Sequence, residues 1–251
     1  MITRSQLEII NRKTLRYPLQ VAEKDYFLTL ISQIIAASKL GKILIFKGGT
    51  AIHHCYLDQL RFSEDLDFSS NQTKIALARM KRMFKPVNYL KVKKDYVSGA
   101  TVKLEKLQYT GPLIQPNSLK VEVDFVQNVL LSPKILSYHN VWGIDFNVRV
   151  MDVREIAAEK IRAASDRARY RDFYDLYLLL EKYSLDLEKI IDFVKQKEIR
   201  RPISKDSIIK NWEVVVTQKE KAMGQIYYSK VVKDSDIKKM IRILPLKRIT
   251  G

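Results

Sequence analysis

The chain has 251 residues, enough for one large domain or two smaller ones, and its 46% hydrophobic and 29% charged residues suit a packed core. Lysine and arginine number 45 against 28 Asp and Glu, a formal net charge of +17, which points to a polyanionic partner, because each phosphate neutralised releases condensed counterions. One cysteine, Cys55, excludes an internal disulfide and a thiolate zinc cage.

Apolar periodicity predicts a helix from about Val21 to Lys39, with Leu28, Ile31, Ile34 and Ile35 at helical spacing. Gly41 ends it, and Ile43–Phe46 reads as a buried strand. Gly48 and Gly49 make a turn into a short helix, Thr50 to about Asp58. Leu66–Ser69 is the next strand, Thr73–Phe84 a basic helix stopped by Pro86, and Leu90–Tyr96 with Ala100–Leu107 a hairpin through Val97, Ser98 and Gly99. Lys120–Phe125 is a strand with Val121 and Val123 on one face and Asp124 on the other. Ile144–Val150 is another strand. After Asp152 everything reads as helix: Val153–Asp166, Arg171–Tyr183, Asp186–Lys197 and about Lys205–Val216. The division expected is a mixed α/β part over 1–150 and a helical part over 151–251.

The apolar runs, such as Ile43–Phe46 and Leu176–Leu180, are too short to cross a bilayer. The first residues, Met1–Gln6, lack the apolar core of a secretion signal, so a cytoplasmic protein with no membrane partner is expected. The positive charge is unevenly placed. Residues 71–108 hold ten Lys/Arg against Asp95 and Glu105, a net of +8, and the tail from Thr217 holds nine against three acids, a net of +6. A lysine-rich solvated surface is the plainer alternative to a nucleic-acid partner.

Two stretches carry the chemistry: Phe46-Lys47-Gly48-Gly49-Thr50, then Arg61-Phe62-Ser63-Glu64-Asp65-Leu66-Asp67-Phe68. Glycines expose backbone N–H groups that can approach a phosphate closely. On a strand Asp65 and Asp67 share a face while Leu66 and Phe68 enter the core. Paired carboxylates repel unless a cation lies between them, and a hard, oxygen-seeking ion such as Mg²⁺ resolves the conflict. Asp124 fits as a third ligand, completing a site for two Mg²⁺ ions that clamp the attacking and leaving oxygens of an in-line displacement. Taken alone, Asp-x-Asp more often marks two solvated carboxylates on an edge strand; Gly-Gly upstream and Val-Glu-Val-Asp downstream turn the reading toward catalysis.

Plainer readings attach to other residues. His53 and His54 have no metal-ligand pattern around them and read as helix surface or core. Cys55 reads as a small buried apolar side chain. Tyr170, Tyr174 and Tyr177 read as packing residues. Phe62 fits a base-stacking role or core packing. Arg61 and Ser63 orient the loop or touch phosphates. Lys160, Ala163, Ala164, Arg167 and Arg171 fall at helical offsets, a cationic strip on a small-residue face; Arg171 with Asp175 also describes an ordinary surface i,i+4 ion pair.

The order Gly-Gly, Asp-x-Asp, lone strand Asp resembles the polymerase-beta-like nucleotidyltransferase superfamily. Within it, Lys47-Gly48-Gly49-Thr50 and Arg61-x-Ser63-x-Asp65-x-Asp67 resemble the AbiEii/AbiGii toxin family, as do Arg154–Ala163, Arg167 and Arg171–Leu176 in the helical part. The resemblance spans residues ~20 to 180 and implies an α+β fold, a mixed-sheet nucleotidyltransferase palm followed by a C-terminal helical bundle that contributes nucleotide-binding and acceptor-binding residues. It implies that Asp65, Asp67 and Asp124 bind metal, that Lys160 and Asp172 join them in catalysis, and that Gly48, Gly49, Thr50, Arg61, Ser63, Lys160, Arg167 and Asp175 bind an NTP. The function expected is transfer of an NMP from the NTP to a hydroxyl, with RNA, and the tRNA 3′ end in particular, as acceptor. The protein would be the toxin of a toxin–antitoxin or phage-defence pair with a cognate antitoxin protein as partner. Transfer to a protein hydroxyl or a small molecule, and a non-catalytic nucleic-acid-binding protein on the same fold, are the alternatives.

Overall fold

The computed structural model describes residues 1–71, 73–197, 199, 201–219 and 226–250. Glu220 and Lys221, which enter the charge of the tail, lie outside the described residues. The chain divides into two units, one of residues 1–127 and 133–150, the other of 128–132 and 151–251.

The first unit is built on a mixed seven-stranded sheet. Its strands are β1 (Ile45–Lys47), β2 (Asp65–Ser69), β3 (Leu90–Val97), β4 (Thr101–Thr110), β5 (Pro116–Asp124), β6 (Lys134–Ser137) and β7 (Asn147–Val150), in the order β3-β4-β5-β2-β1-β7-β6. β2 lies in the middle, antiparallel to β1 and parallel to β5, so Asp65 and Asp67 do not sit on an edge strand. Strict alternation explains why these segments pair as they do. Leu66, Phe68, Val102, Leu104, Val121 and Val123 are all buried, and their partners on the opposite face are polar.

Three helices of this unit are α1 (Arg4–Lys13), α2 (Leu19–Ala37) and α4 (Leu77–Phe84). α1 starts with a capping box in which Thr3 and Gln6 satisfy each other's backbone N–H. Phe27, Leu28 and Ile31 of α2 are fully buried, and the Phe27 ring stacks on Tyr109 of β4 with centroids 3.9 Å apart. Each such side chain removed from water contributes about 1.5–3 kcal/mol. β1 begins later than the apolar run suggests, because the amides of Ile43 and Leu44 both bond Leu40 O in a helical turn. α4 begins at Leu77 because Ala76 is extended and caps it.

The named elements of the second unit are helices: α5 (Val153–Asp166), α6 (Tyr170–Lys182), α7 (Leu187–Gln196), α8 (Lys205–Thr217) and α9 (Asp234–Ile243), with an isolated antiparallel bridge between Ile203 and Ile249. Ile156, Ile161, Phe173, Leu179, Ile190, Ile208, Trp212 and Ile237 form its core. The short segment 128–132 belongs here because buried Glu155 of α5 accepts the amides of Leu130 at 2.9 Å and Leu131 at 3.1 Å. Glu155 also pairs with buried Lys197, whose ammonium donates to Asn128 O at 2.8 Å. Among the described residues no helix is long and apolar enough to cross a membrane.

Candidate active site

β1 delivers the chain into a glycine turn. Gly48 has φ +76°, a region that favours glycine, and a Cβ there would meet Asp67 Oδ2 at 2.7 Å. A Cβ on Gly49 would meet Arg61 Nη2 at 2.5 Å and Ser63 Oγ at 2.7 Å. Both glycines thus bring the backbone into close approach: one to the second aspartate, the other to the Arg61-Ser63 segment. Thr50 Oγ1 donates to Asp65 O at 2.5 Å, tying the turn to the start of β2. After the turn, a short helix α3 (Gly48–Ala51) runs into a π-helical turn over Ile52–Tyr56.

The register across the sheet sets what surrounds the aspartates. Asp67 lies opposite Lys47 on β1 and Glu122 on β5, Asp65 opposite Lys120, and Ser69 opposite Asp124. Acids and lysines thus alternate over one polar face. Lys120 Nζ is 3.4 Å from Asp65 Oδ2 and 3.3 Å from Glu122 Oε2. Lys103 Nζ is 3.0 Å from Glu122 Oε1, and Lys47 Nζ is 3.4 Å from Asp124 Oδ2.

Electrostatics distinguishes three of the acids, Asp67, Glu122 and Asp124. Burial, with the charges of Asp65 and Glu122, holds the Asp67 carboxyl above the usual range, although Lys120 and Lys47 pull it down. Burial would raise Glu122 too, but Lys103 and Lys120 bring it below its ordinary value. Asp124 is likewise lowered despite burial, by Lys47 and by the amides of Val126 at 2.8 Å and Gln127 at 3.1 Å, both bonded to its Oδ1. Lys120 loses ground to burial but ends above the usual lysine range, because Asp67, Asp65 and Glu122 surround it.

Asp124 does face the same way as Asp67, but it sits one register step further along, opposite Ser69. Glu122 is the carboxylate directly across from Asp67. Among the described residues no three of His, Cys, Asp and Glu converge as a metal site. The oxygen donors this face offers a hard cation are Asp65 and Asp67 of β2, with Asp124 of β5 one register step along. Mg²⁺ is commonly held by one or two carboxylates, with substrate phosphates and water completing its shell.

Several single residues resolve clearly. Arg61 is only 1% exposed, its Nη1 donating to Phe62 O at 2.8 Å, so it supports the glycine turn from beneath. Phe62 is buried edge-on against Tyr17, which settles it as core packing. His54 is buried, stacks on Tyr138 and bonds His139 O through Nδ1 at 2.8 Å; burial pushes its pKa down to about 4. Cys55 is buried, which raises its thiol pKa. Tyr170 and Tyr174 are core residues.

The helical unit holds a second charge cluster. Lys160 Nζ on α5 is 2.9 Å from Asp172 Oδ1 and 2.7 Å from Asp175 Oδ2 on α6, and both carboxylates are fully buried. Arg167 Nε adds a bond to Asp172 Oδ2 at 2.8 Å. Burial would raise Asp172, yet Lys160 and Arg167 bring it down to about 2. Two expectations are corrected here. The cationic strip does not run from Lys160 to Arg171 on one helix, because α5 ends at Asp166 and Arg167 is extended, φ −150°, ψ 148°. Asp175 is buried against Lys160, so it is not half of a surface i,i+4 pair.

Sequence reasoning missed Lys47, Lys103, Lys120 and Glu122 as members of the polar face. The signal for two of them was present: stepping back by twos from Asp124 gives Glu122 and Lys120 on the same side of β5.

The sequence model of the family described as nucleotidyl transferase AbiEii toxin, type IV toxin–antitoxin system, matches residues 29–240. Among solved structures, MenT4, a nucleotidyltransferase toxin from Mycobacterium tuberculosis H37Rv, superposes with a TM-score of 0.61 at 18% identity, covering 92% of this chain and 76% of its own. A candidate nucleotidyltransferase from H. pylori superposes with a TM-score of 0.58 at 17% identity, covering 91% of this chain and 96% of its own. At these identities the likeness is one of fold. No curated protein sequence matches the chain.

Proposed function

Because the chain belongs to the AbiEii nucleotidyltransferase toxin family of type IV toxin–antitoxin systems, we propose that it transfers the NMP of an NTP to a hydroxyl of RNA, at a tRNA 3′ end. The observation that carries the reading is the pair Asp65 and Asp67 on one face of the central strand β2, with Gly48 pressed so closely on Asp67 that no Cβ fits between them.

In this reading Asp65, Asp67 and Asp124 would hold Mg²⁺, with Lys47 beside them, its Nζ 3.4 Å from Asp124 Oδ2. Bound there, the metal would supply charge neutralisation for the triphosphate and a lowered pKa for the attacking hydroxyl. The backbone amides of Gly48, Gly49 and Thr50 offer donors to phosphate oxygens, while Arg61 and Ser63 keep the turn in shape. The acceptor oxygen bonds to the α-phosphorus, the bond to the bridging oxygen breaks, pyrophosphate leaves, and the hydroxyl proton goes to solvent. Lys160 and Arg167 are assigned to the nucleotide's negative charge, with Asp172 and Asp175 orienting the Lys160 ammonium. The net charge of +17 suits a polyanionic acceptor. In the cell such an activity would serve as the toxin of a toxin–antitoxin or phage-defence pair, restrained by a cognate antitoxin.

Incubation of the purified protein with each α-labelled NTP, Mg²⁺ and total tRNA tests this directly. Label is expected in RNA, and Asp65→Asn or Asp67→Asn should remove it. Label migrating with protein, or staying in a small soluble product, would move the acceptor to a protein hydroxyl or a metabolite. RNA binding with no labelled product under any NTP would leave a non-catalytic RNA-binding protein instead.

A further inference from the structure

The ladder registers place Tyr96 of β3, Lys103 of β4, Glu122 of β5, Asp67 of β2 and Lys47 of β1 opposite one another in a single row across five strands. Residues directly opposite in a ladder point to the same side of the sheet. Tyr96 therefore stands on the face that carries Asp65 and Asp67. It is three strand spacings away from Asp67, about 14 Å.

Tyr96 is 49% exposed on the outermost strand, with no ring contact or hydrogen bond among the described residues. Its neighbours on the other face, Val92 and the buried Leu90, face the core with Leu107 and Tyr109, and Asp95 pairs with Lys81 of α4. The Tyr96 side of the hairpin instead carries Lys91, Lys94, Lys103 and Lys106 against the one acid Glu105. Lys94 is bonded to Glu105 at 2.6 Å and Lys103 to Glu122 at 3.0 Å. Lys91 and Lys106 are exposed and have no ion-pair partner among the described residues.

We propose that this face of the β3–β4 hairpin is the docking surface for the single-stranded end of the acceptor RNA. One base stacks on Tyr96, the backbone phosphates lie on Lys91 and Lys106, and the end of the strand points along the row toward Asp65 and Asp67. The inference rests on the RNA-acceptor reading above. An exposed ring is a sequence-tolerant platform for an unstacked base, and an A-form duplex keeps its bases out of such contact. Lysines suit it because a compact ammonium reads phosphate charge, which positions a strand without selecting its sequence.

The test uses the full chain and a fluorescein-labelled single-stranded oligoribonucleotide, alongside the labelling assay with tRNA. Tyr96→Ala is expected to weaken oligoribonucleotide binding about tenfold and to raise the acceptor KM by a similar factor. The NTP KM should be unchanged, which shows the variant is folded, and Tyr96→Phe should restore both values. Lys91→Ala/Lys106→Ala is expected to reduce the slope of log K against log salt by roughly 1.4. If wild type labels RNA while all these variants keep its acceptor KM and salt slope, the surface is wrong and the function stands. If wild type labels only protein or a small molecule, the RNA acceptor and the surface fall together.

Discussion

The two charge clusters use the same residue types to opposite effect. On the sheet face, Asp65, Lys120, Glu122 and Asp124 keep between 23% and 32% of their side-chain surface, with ammonium–carboxylate distances of 3.3–3.4 Å for Lys120 and Lys47. In the helical unit, Asp172 and Asp175 keep none, and Lys160 holds both at 2.7–2.9 Å. Loose, partly solvated pairs exchange cheaply for another cation, because water already shares in their solvation. Closely bonded buried pairs do not, because releasing one partner strands the other in a poorly solvated place. The sheet face is accordingly fit for a cation that comes and goes with substrate, and the helical cluster is fit to keep its own lysine in one position.

The sharpest test of that contrast is on the sheet. Asp65→Asn and Asp67→Asn should each lower the transfer rate by about three orders of magnitude or more, the worth of several kcal/mol of transition-state charge stabilisation. Their urea midpoints should not fall, since Asp65 pairs with a partly solvated Lys120 and the Asp67 carboxyl is already held above its usual range by burial. A large stability loss would place the sheet face in the same class as the helical cluster.

Lys160→Ala should do the reverse to stability, costing about 3–5 kcal/mol in urea unfolding by leaving two buried carboxylates without their ammonium. Adding Asp172→Asn and Asp175→Asn should return part of it. The wild-type acid limb should show the same bond: Asp172, held at about 2, contributes stability that is complete above its unfolded value near 3.9 and lost as pH falls through about 2. An unchanged midpoint in Lys160→Ala would break the distinction.

Asp25 supplies the missing third case, a buried carboxylate with hydrogen bonds in place of an ammonium. It accepts from Trp142 Nε1 at 2.8 Å and Gln59 Nε2 at 2.5 Å. Burial raises its pKa to about 7, although both bonds pull the other way. Because the folded value lies above the unfolded one, stability is complete below pH ~4 and declines as pH rises to about 7, by up to roughly 4 kcal/mol. Asp25→Asn should flatten that decline, with midpoints that converge near pH 4 and separate in the variant's favour at pH 7. Parallel pH profiles would show that this carboxyl ionises freely in the fold.

Gly48→Ala is expected to cost about 1–2 kcal/mol of stability for a Cβ at positive φ. Since that Cβ meets Asp67 Oδ2 at 2.7 Å, activity should fall by more than the stability loss accounts for. Equal losses in both assays would mean that Asp67 is free to move aside.

Much of the fold could be read directly from the sequence where burial enforces a period. The alternation in Leu66, Phe68, Val121 and Val123 marks β2 and β5, and the helical periods of α2, α5 and α6 match the observed spans to within a few residues. β6 escaped detection because its two apolar residues, Ile135 and Leu136, are adjacent and fall on opposite faces of an exposed strand, so no alternation marks it. α1 was overlooked although Thr3 and Gln6 spell its capping box. For the site, local spacing put Asp65 and Asp67 on one face, but which residue stands opposite Asp67 depends on the parallel pairing of β2 with β5, two segments far apart in sequence. That pairing selects Glu122 and moves Asp124 one step along. The partners of Lys160 were hidden for a similar reason: the extended Arg167 ends α5 and turns the chain into a separate helix, where helical offsets counted through the break lose meaning.

The position of β3 at the margin of the sheet also bears on solubility. Among the described residues no further strand lies beside its outer hydrogen-bonding groups, and such a border invites pairing with another molecule. Lys91, Lys93 and Lys94 line that border, and the ladder is irregular between Val92 and Asp95. Repulsion between two copies of this lysine row would oppose edge-to-edge pairing of their sheets. A mutational scan that neutralises all three lysines at once would therefore promote self-association at high concentration, so charge-neutralised variants are best compared in dilute solution with their sedimentation behaviour followed in parallel.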